Sequence, residues 1–212
     1  MIVEKIQKIE FGDELLGKIK LNPIKMQPVP AKAVVTSKYI RETIDETKYG
    51  KVGEILAGLC RDEEKIAVVM RWEDKSKDDT ISGYGNFVDA CAVMFPIKEY
   101  ASVMTMGSED APVNVWLWRA DEKFYDIISK GLGTTKRRDP KTSGLTAHGQ
   151  YSEGKWTVFF IRPLQSKNPE EYVDLTPPKT TSIAFAVWIG NNRERGPLKS
   201  YSGDFLGLEV PL

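Results

Sequence analysis

The sequence predicts a mainly β protein, an antiparallel β-sandwich or barrel with a few short helices. Three observations predict it. Short apolar runs recur along the chain, each bounded by charged or turn-forming residues. The alternation of strands with long helices that marks a doubly wound fold is missing. Hydrophobic residues make up 41% of the chain and aromatics 10%, enough for a core. At 212 residues, a single domain spanning 1–212 is the expected organisation. A chain of this size buries roughly 70% of the surface that it exposes unfolded.

The elements follow in order. Met1 to Lys20 carries charges throughout and lacks the apolar segment of a secretory leader. Pro23, Pro28 and Pro30 fix φ and remove backbone donors, so 1–30 reads as an extended or partly helical lead-in. Ala33, Val34 and Val35 begin a first strand. Val52, Ile55, Leu56 and Leu59 fall at helical spacing, which predicts a short helix over Lys51 to Cys60, although Gly50, Gly53 and Gly58 weigh against it. Lys65 to Trp72 is a strand closed by EDKSKDD, and Phe87 to Phe95 is a second, stopped by Pro96. In Pro112 to Arg119, alternation puts Val113, Val115 and Leu117 on one face and Asn114, Trp116 and Trp118 on the other. Bulky groups on both faces predict a strand covered on both sides. Ala120 to Lys130 reads as a helix: Phe124, Ile127 and Ile128 share a face, acids open it and Gly131 ends it. Thr134 to Gly149 is polar and reads as a surface loop. Lys155 to Leu164 and Thr181 to Ile189 are strands, and Tyr201 to Val210 is a closing strand interrupted by glycine.

Composition excludes several functions. Thirty basic residues balance thirty acidic ones, which argues against a general nucleic-acid binder. Two cysteines, Cys60 and Cys91, are too few for a disulfide scaffold, a four-thiolate zinc site or an iron–sulfur cluster, and read as buried thiols. His148 is the one histidine, so two- and three-histidine metal sites are excluded. A serine triad would have to use it, and it reads instead as a loop histidine. Dinucleotide, phosphate-loop, nucleophile-elbow and covalent-haem motifs are all missing. No apolar run reaches the roughly eighteen residues that a membrane span needs. The acidic pairs Glu73/Asp74 and Asp78/Asp79 read as a solvated strand edge.

Five segments in fixed order carry a resemblance. They are RWEDKSKDDT from Arg71, NFVDACAVMFP from Asn86, MGSEDAPVNVWLWRAD from Met106, GQYSEGKWTVFFIRPL from Gly149 and IAFAVWIGNNRERGPLKSYS from Ile183. Together the chain resembles the haem-b-binding γ subunit of the ethylbenzene dehydrogenase and dimethyl sulfide dehydrogenase group, within the complex iron–sulfur molybdoenzymes. The resemblance runs from Lys65 to the C-terminus and is vague before it. It implies an immunoglobulin-like or DOMON-like sandwich holding one non-covalent haem b, with a methionine and a lysine as axial iron ligands. The matching positions are Met106, followed by Gly107 shortly before PVNVWLW, and Lys199 in LKSYS. The resemblance also implies a non-catalytic electron-transfer subunit. Its partners would be an iron–sulfur β subunit, a molybdenum-cofactor α subunit and an external carrier such as a cytochrome, with no nucleic acid and no membrane span. Relatives commonly work outside the cytoplasmic membrane, in the periplasm. Two departures touch the pocket edge: Ile189 stands where the family has an acid, and Gly203–Asp204 where an aromatic is usual.

The implied chemistry is coherent. A thioether is a soft ligand that favours ferrous iron. Lysine binds iron only as a neutral amine, and deprotonating a free lysine at neutral pH costs about 4–5 kcal/mol. Burial and the iron–nitrogen bond offset that. Two protein ligands leave no iron position for substrate, hence electron transfer. Met104 is the rival thioether. Trp116, Trp118, Trp156 and Trp188 are expected in the core, with one or two lining the haem. Arg162, Arg193 and Arg195 could pair with haem propionates or be plain surface charge. The alternative class is a cofactor-free carbohydrate-binding module, which would need several rings on an exposed face.

Overall fold

The computed structural model describes residues 1–81, 83 and 85–212. The chain runs β1 (Glu4–Lys5), α1 (Asp13–Lys18), β2 (Asn22–Lys25), β3 (Gln27–Pro28), α2 (Ala31–Val34), α3 (Lys38–Thr43), β4 (Glu54–Arg61), β5 (Lys65–Glu73), β6 (Ala90–Pro96) and β7 (Val113–Arg119). It continues with β8 (Lys123–Ser129), β9 (Lys136–Arg138), α4 (Pro140–Ser143), β10 (Thr146–Ser152), β11 (Lys155–Pro163), β12 (Lys179–Trp188), β13 (Ser200–Tyr201) and β14 (Leu206–Val210). Two sheets form. One has the order β1-β4-β5-β11-β10, with β2 also on β4; the other is β3-β13-β12-β6-β7-β8-β9, with β14 on β12. The pairings are antiparallel except β1 with β4. The predicted mainly β sandwich with short helices is therefore what forms.

The core lies between the sheets. Inward residues of β5 and β11 (Ile66, Val68, Met70, Val158, Phe160) meet those of β6, β7 and β12 (Val93, Phe95, Trp116, Phe185, Val187). This alternation follows from the strand pleat. Trp116, Trp118 and Trp156 are buried here as expected, with Trp72 beside them. Gly149 on β10 makes room for Trp118, because a Cβ there would lie 2.1 Å from the indole. Cys60 and Cys91 are buried free thiols.

Four expectations are corrected. Lys51 to Cys60 is not helical but yields β4, because Ile55, Ala57 and Leu59 face one core while Cys60 joins a second. Ala120 to Lys130 is a turn and then β8, locked in register to β7 through Val115↔Ile127 and Leu117↔Tyr125. Ala33 to Val35 starts no strand and lies largely in α2. Thr134 to Gly149 is not one loop: it contains β9, α4 and the start of β10. His148 stands on β10 with its ring edge-on to Phe11, exposed.

The outer faces are covered differently. On the β1-containing sheet, Ile9, Leu15 and Ile19 from the N-terminal segment seal Cys60, Ala67, Val69, Phe159 and Ile161. On the other sheet, loops and α2–α3 arch over the strands and leave a cavity. None of the helices is long and apolar enough to cross a membrane among the described residues.

Candidate cofactor cavity

The cavity has a volume of about 940 Å³ and lies on the outer face of the β12-β6-β7-β8 sheet. Its floor follows from register. Ala186 pairs with Ala92, Ala184 with Met94 and Trp188 with Ala90, so alanines carpet two adjacent strands. Val115 and Leu117 of β7 and Ile127 of β8 extend the floor. Small side chains here leave a flat, apolar surface on which a planar molecule could rest close to the backbone. The walls come from Val29, Val34, Val35 and Ile40 of the N-terminal region, Val103, Met104 and Met106 of the β6–β7 connection, and the turn after β12.

Lys199 enters from the β12–β13 connection and lines this cavity. Its carbonyl accepts from Val29 N–H at 3.1 Å, and the next residue, Ser200, is fully buried with its Oγ accepting from Val52 N–H at 3.1 Å. The backbone is thus pinned on both sides. The Nζ lies 4.6 Å from the centre of the Trp188 ring. No acidic side chain pairs with it among the described residues. Burial pulls its pKa down to about 8, since desolvation disfavours the charged form. The indole itself is held by a hydrogen bond from Trp188 Nε1 to the Gly196 carbonyl at 3.0 Å.

Met106 lines the same cavity from the other connection. Its φ is +55°, in the left-handed region that side chains rarely adopt. Gly107 follows at φ +83°, and a Cβ there would stand 2.7 Å from the Ala111 carbonyl. Only glycine fits that turn. Gly131 N–H donates to the Met106 carbonyl at 3.2 Å and Gly107 N–H to the Ser102 carbonyl at 2.9 Å, tying the turn to the end of β8. The Met106 side chain packs beside Ala92, Val113, Val115 and Ile127. Met104 also lines the cavity, but its sulfur accepts a hydrogen bond from Tyr201 Oη at 3.4 Å.

Three arginines line the cavity: Arg119, Arg137 and Arg195. Arg119 is engaged by Asp121 through two 3.0 Å bonds. Arg137 lies over the Tyr125 ring and Arg195 over Phe87, and neither has an acidic partner among the described residues. Of the arginines named from sequence, Arg195 is thus at the cavity. Arg162 is elsewhere: it is 1% exposed between the sheets, donating to Asn114 Oδ1 at 3.3 Å and to the Val173 carbonyl. Arg193 is exposed and outside the lining. Of the tryptophans, Trp188 reaches the cavity and Trp116, Trp118 and Trp156 do not. Sequence reasoning missed Arg119, Arg137 and the N-terminal wall. The period-two pattern of β7 carried a signal for Arg119, which shares a face with Val115 and Leu117; nothing local marked the wall.

The molecule is a β-sandwich with a sheet-floored cavity that a thioether and an amine from two different connections line. The sequence profile of the family described as ethylbenzene dehydrogenase matches residues 20–148 and 126–200. The chain belongs to that family. It is 38% identical over 144 residues to a Haloferax mediterranei protein named as a respiratory nitrate reductase heme subunit, covering 68% of this chain and 51% of the relative. It is 32% identical to the chlorate reductase γ subunit of Ideonella dechloratans, covering 73% and 64%, and 29% identical to the dimethylsulfide dehydrogenase γ subunit of Rhodovulum sulfidophilum, covering 70% and 57%. The chain therefore spans about half to just under two-thirds of the length of these relatives. In fold it is similar to a family 9 carbohydrate-binding module from Caldicellulosiruptor kristjanssonii, solved with cellotriose: the TM-score is 0.57, identity 9%, and coverage 100% and 93%. At that identity the likeness speaks for the fold alone.

Proposed function

We propose that this chain is the electron-transfer γ subunit of a molybdenum oxidoreductase, holding one non-covalent haem b with Met106 and Lys199 as axial ligands. One observation carries the proposal. Side chains far apart in sequence, one a thioether and one a lysine without an acidic partner, line the same apolar cavity over a carpet of alanines. The family and the names of its members support the cofactor class.

The residues fit such a group. Ala90, Ala92, Ala184 and Ala186 admit a planar ring against the sheet. Met106 Sδ offers a soft donor and Lys199 Nζ a nitrogen donor once its proton is lost, which burial favours. The ring of Trp188 holds the amine in place until then. Arg137 and Arg195, with no acidic partner among the described residues, suit carboxylate groups at the rim. The bound haem would supply reversible one-electron chemistry. Met106 and Lys199 would hold the group from this chain and would keep water and substrate away from it, so substrate chemistry would belong to a partner subunit. The exchange partners would be an iron–sulfur subunit on one side and a carrier such as a cytochrome on the other.

The tryptophans do not favour sugar stacking. Trp72, Trp116, Trp118 and Trp156 are all buried, and the most exposed rings among the described residues, Tyr39 and Tyr100, sit on separate segments.

The test is spectroscopic. Protein reconstituted with haem should show a six-coordinate low-spin spectrum and a b-type pyridine haemochrome at one haem per chain. Met106→Ala and Lys199→Ala should each convert it to a high-spin form, while Met104→Ala should not. Protein that stays colourless after reconstitution sinks the proposal, and a spectral change in Met104→Ala alone reassigns the thioether.

A further inference from the structure

Opposite the solvated edge expected from its sequence, the segment after β5 turns two carboxylates inward. Glu73 is exposed and Asp79 pairs with Lys77, but Asp74 is only 5% exposed. Asp89, immediately before β6, is fully buried. One carboxylate oxygen each from Asp74, Asp78 and Asp89 lies within 4.8 Å of the others. Among the described residues no lysine or arginine is within ion-pair reach of any of the three.

Asp89 is held rigidly. Its Oδ1 accepts from Gly190 N–H at 2.8 Å, and its Oδ2 from Asp78 N–H at 2.8 Å and Trp156 Nε1–H at 2.9 Å. Asp78 accepts from the Ser76 hydroxyl at 2.7 Å, which in turn accepts from Asn191 Nδ2 at 2.6 Å. Asp74 differs. Its Oδ1 accepts from Ser76 N–H at 3.2 Å, but Oδ2 is buried with no hydrogen-bond partner among the described residues. A buried carboxylate oxygen with no donor is costly and calls for a positive group.

We propose that Asp74, Asp78 and Asp89 form a binding site for a hard divalent cation, calcium in preference to softer metals. Three carboxylates and a hydroxyl are oxygen donors only, and calcium accepts six to eight such ligands in irregular geometry, with water completing the shell. Asp74 Oδ2 supplies the donor that nothing else uses. The cation would clamp the end of β5 in one sheet to the start of β6 and the turn after β12 in the other. It would also fix the start of β6, ahead of which Phe87 and Val88 line the cavity. The site does not depend on the identity of the cavity's ligand.

The experiment uses the full chain, stripped with chelator and returned to buffer. Calcium chloride should raise Tm by about 5–10 °C at about a hundredfold excess over Kd, with one calcium per chain by titration calorimetry. Terbium should bind in the same place and emit when tryptophan is excited, because Trp156 is hydrogen-bonded to a ligand carboxylate. Calcium should displace that emission. Asp78→Asn, at the least buried of the three, should keep the metal-free Tm and lose both the calcium shift and the terbium emission. Absence of a calcium heat, a Tm shift and terbium emission in the wild type overturns the proposal.

Discussion

Gly107 shows how a residue without a side chain positions its neighbour. Its left-handed φ and the carbonyl 2.7 Å from its missing Cβ leave no room for alanine. Gly107→Ala should therefore displace the turn that presents Met106, and haem retention should fall while the sandwich keeps its far-ultraviolet circular dichroism. Unchanged haem affinity in that variant would separate Met106 from its turn. At this scale the sequence was informative: the Met-Gly pair before PVNVWLW and the lysine in LKSYS singled out two side chains that line one cavity. What no local pattern revealed was Arg162, whose guanidinium is buried among Trp116, Asn114 and Val173 and not at the cavity. A buried arginine is rare, and only packing decides where it occurs. The thiols behave alike. Burial pushes Cys60 up to about 12 and Cys91 well above its usual value. Neither should react with a thiol reagent near pH 8 until the protein is unfolded. Rapid labelling of native protein would contradict this.

At the scale of elements, β7 and β11 are joined by a polar hub inside the sandwich. Asn114 Oδ1 accepts from Trp116, Arg162 and Val173, while its Nδ2 donates to Asp126 at 2.7 Å and the Ile127 carbonyl at 3.1 Å. Arg138 donates to the same Asp126 oxygen, Oδ1, at 2.6 Å, while Asp126 Oδ2 has no hydrogen-bond partner among the described residues. Asn114→Ala strips several buried groups of partners at once, so a loss of about 2–4 kcal/mol is expected in urea unfolding. A change below about 0.5 kcal/mol, the usual size for a surface site, would show the hub to be dispensable. The same strand explains why β8 looked helical. Phe124, Ile127 and Ile128 have helical spacing, yet pairing with β7 sends Ile127 to the cavity and Asp126 and Ile128 the other way. The buried acid is tolerable because the neighbouring strand supplies Asn114. In β4, apolar residues on both faces produced the i, i+3, i+4 pattern by coincidence, because both faces are covered.

Across the whole molecule, the N-terminal region closes both outer faces. One latch is Asp62. Its Oδ2 accepts from Ile9 N–H at 3.0 Å and its Oδ1 from Glu64 and Lys65 N–H at 2.9 and 2.7 Å. Burial pushes this carboxyl up, but the three backbone donors outweigh it and its pKa is net lowered. The unfolded chain thus takes up the proton first as pH falls. The latch's stabilisation is complete above the ordinary aspartate value of about 3.9 and is lost as pH falls through the lower folded value. Hydrogen exchange at Ile9 should therefore accelerate below about pH 4, and Asp62→Asn should remove that acid dependence.

The amino-acid pattern alone determined the sandwich class and the runs that became β5, β6, β7, β11, β12 and β14, because period-two alternation is a local property of a chain; Met106 and Lys199 were singled out by the family resemblance. Tertiary structure decided the rest: that 29–40 walls the cavity, that alanines of β6 and β12 align as its floor, and that Asp74 and Asp89 turn inward together. Each of these depends on which strands pair and in what register. That is settled by burying apolar area between sheets, a property no single segment carries.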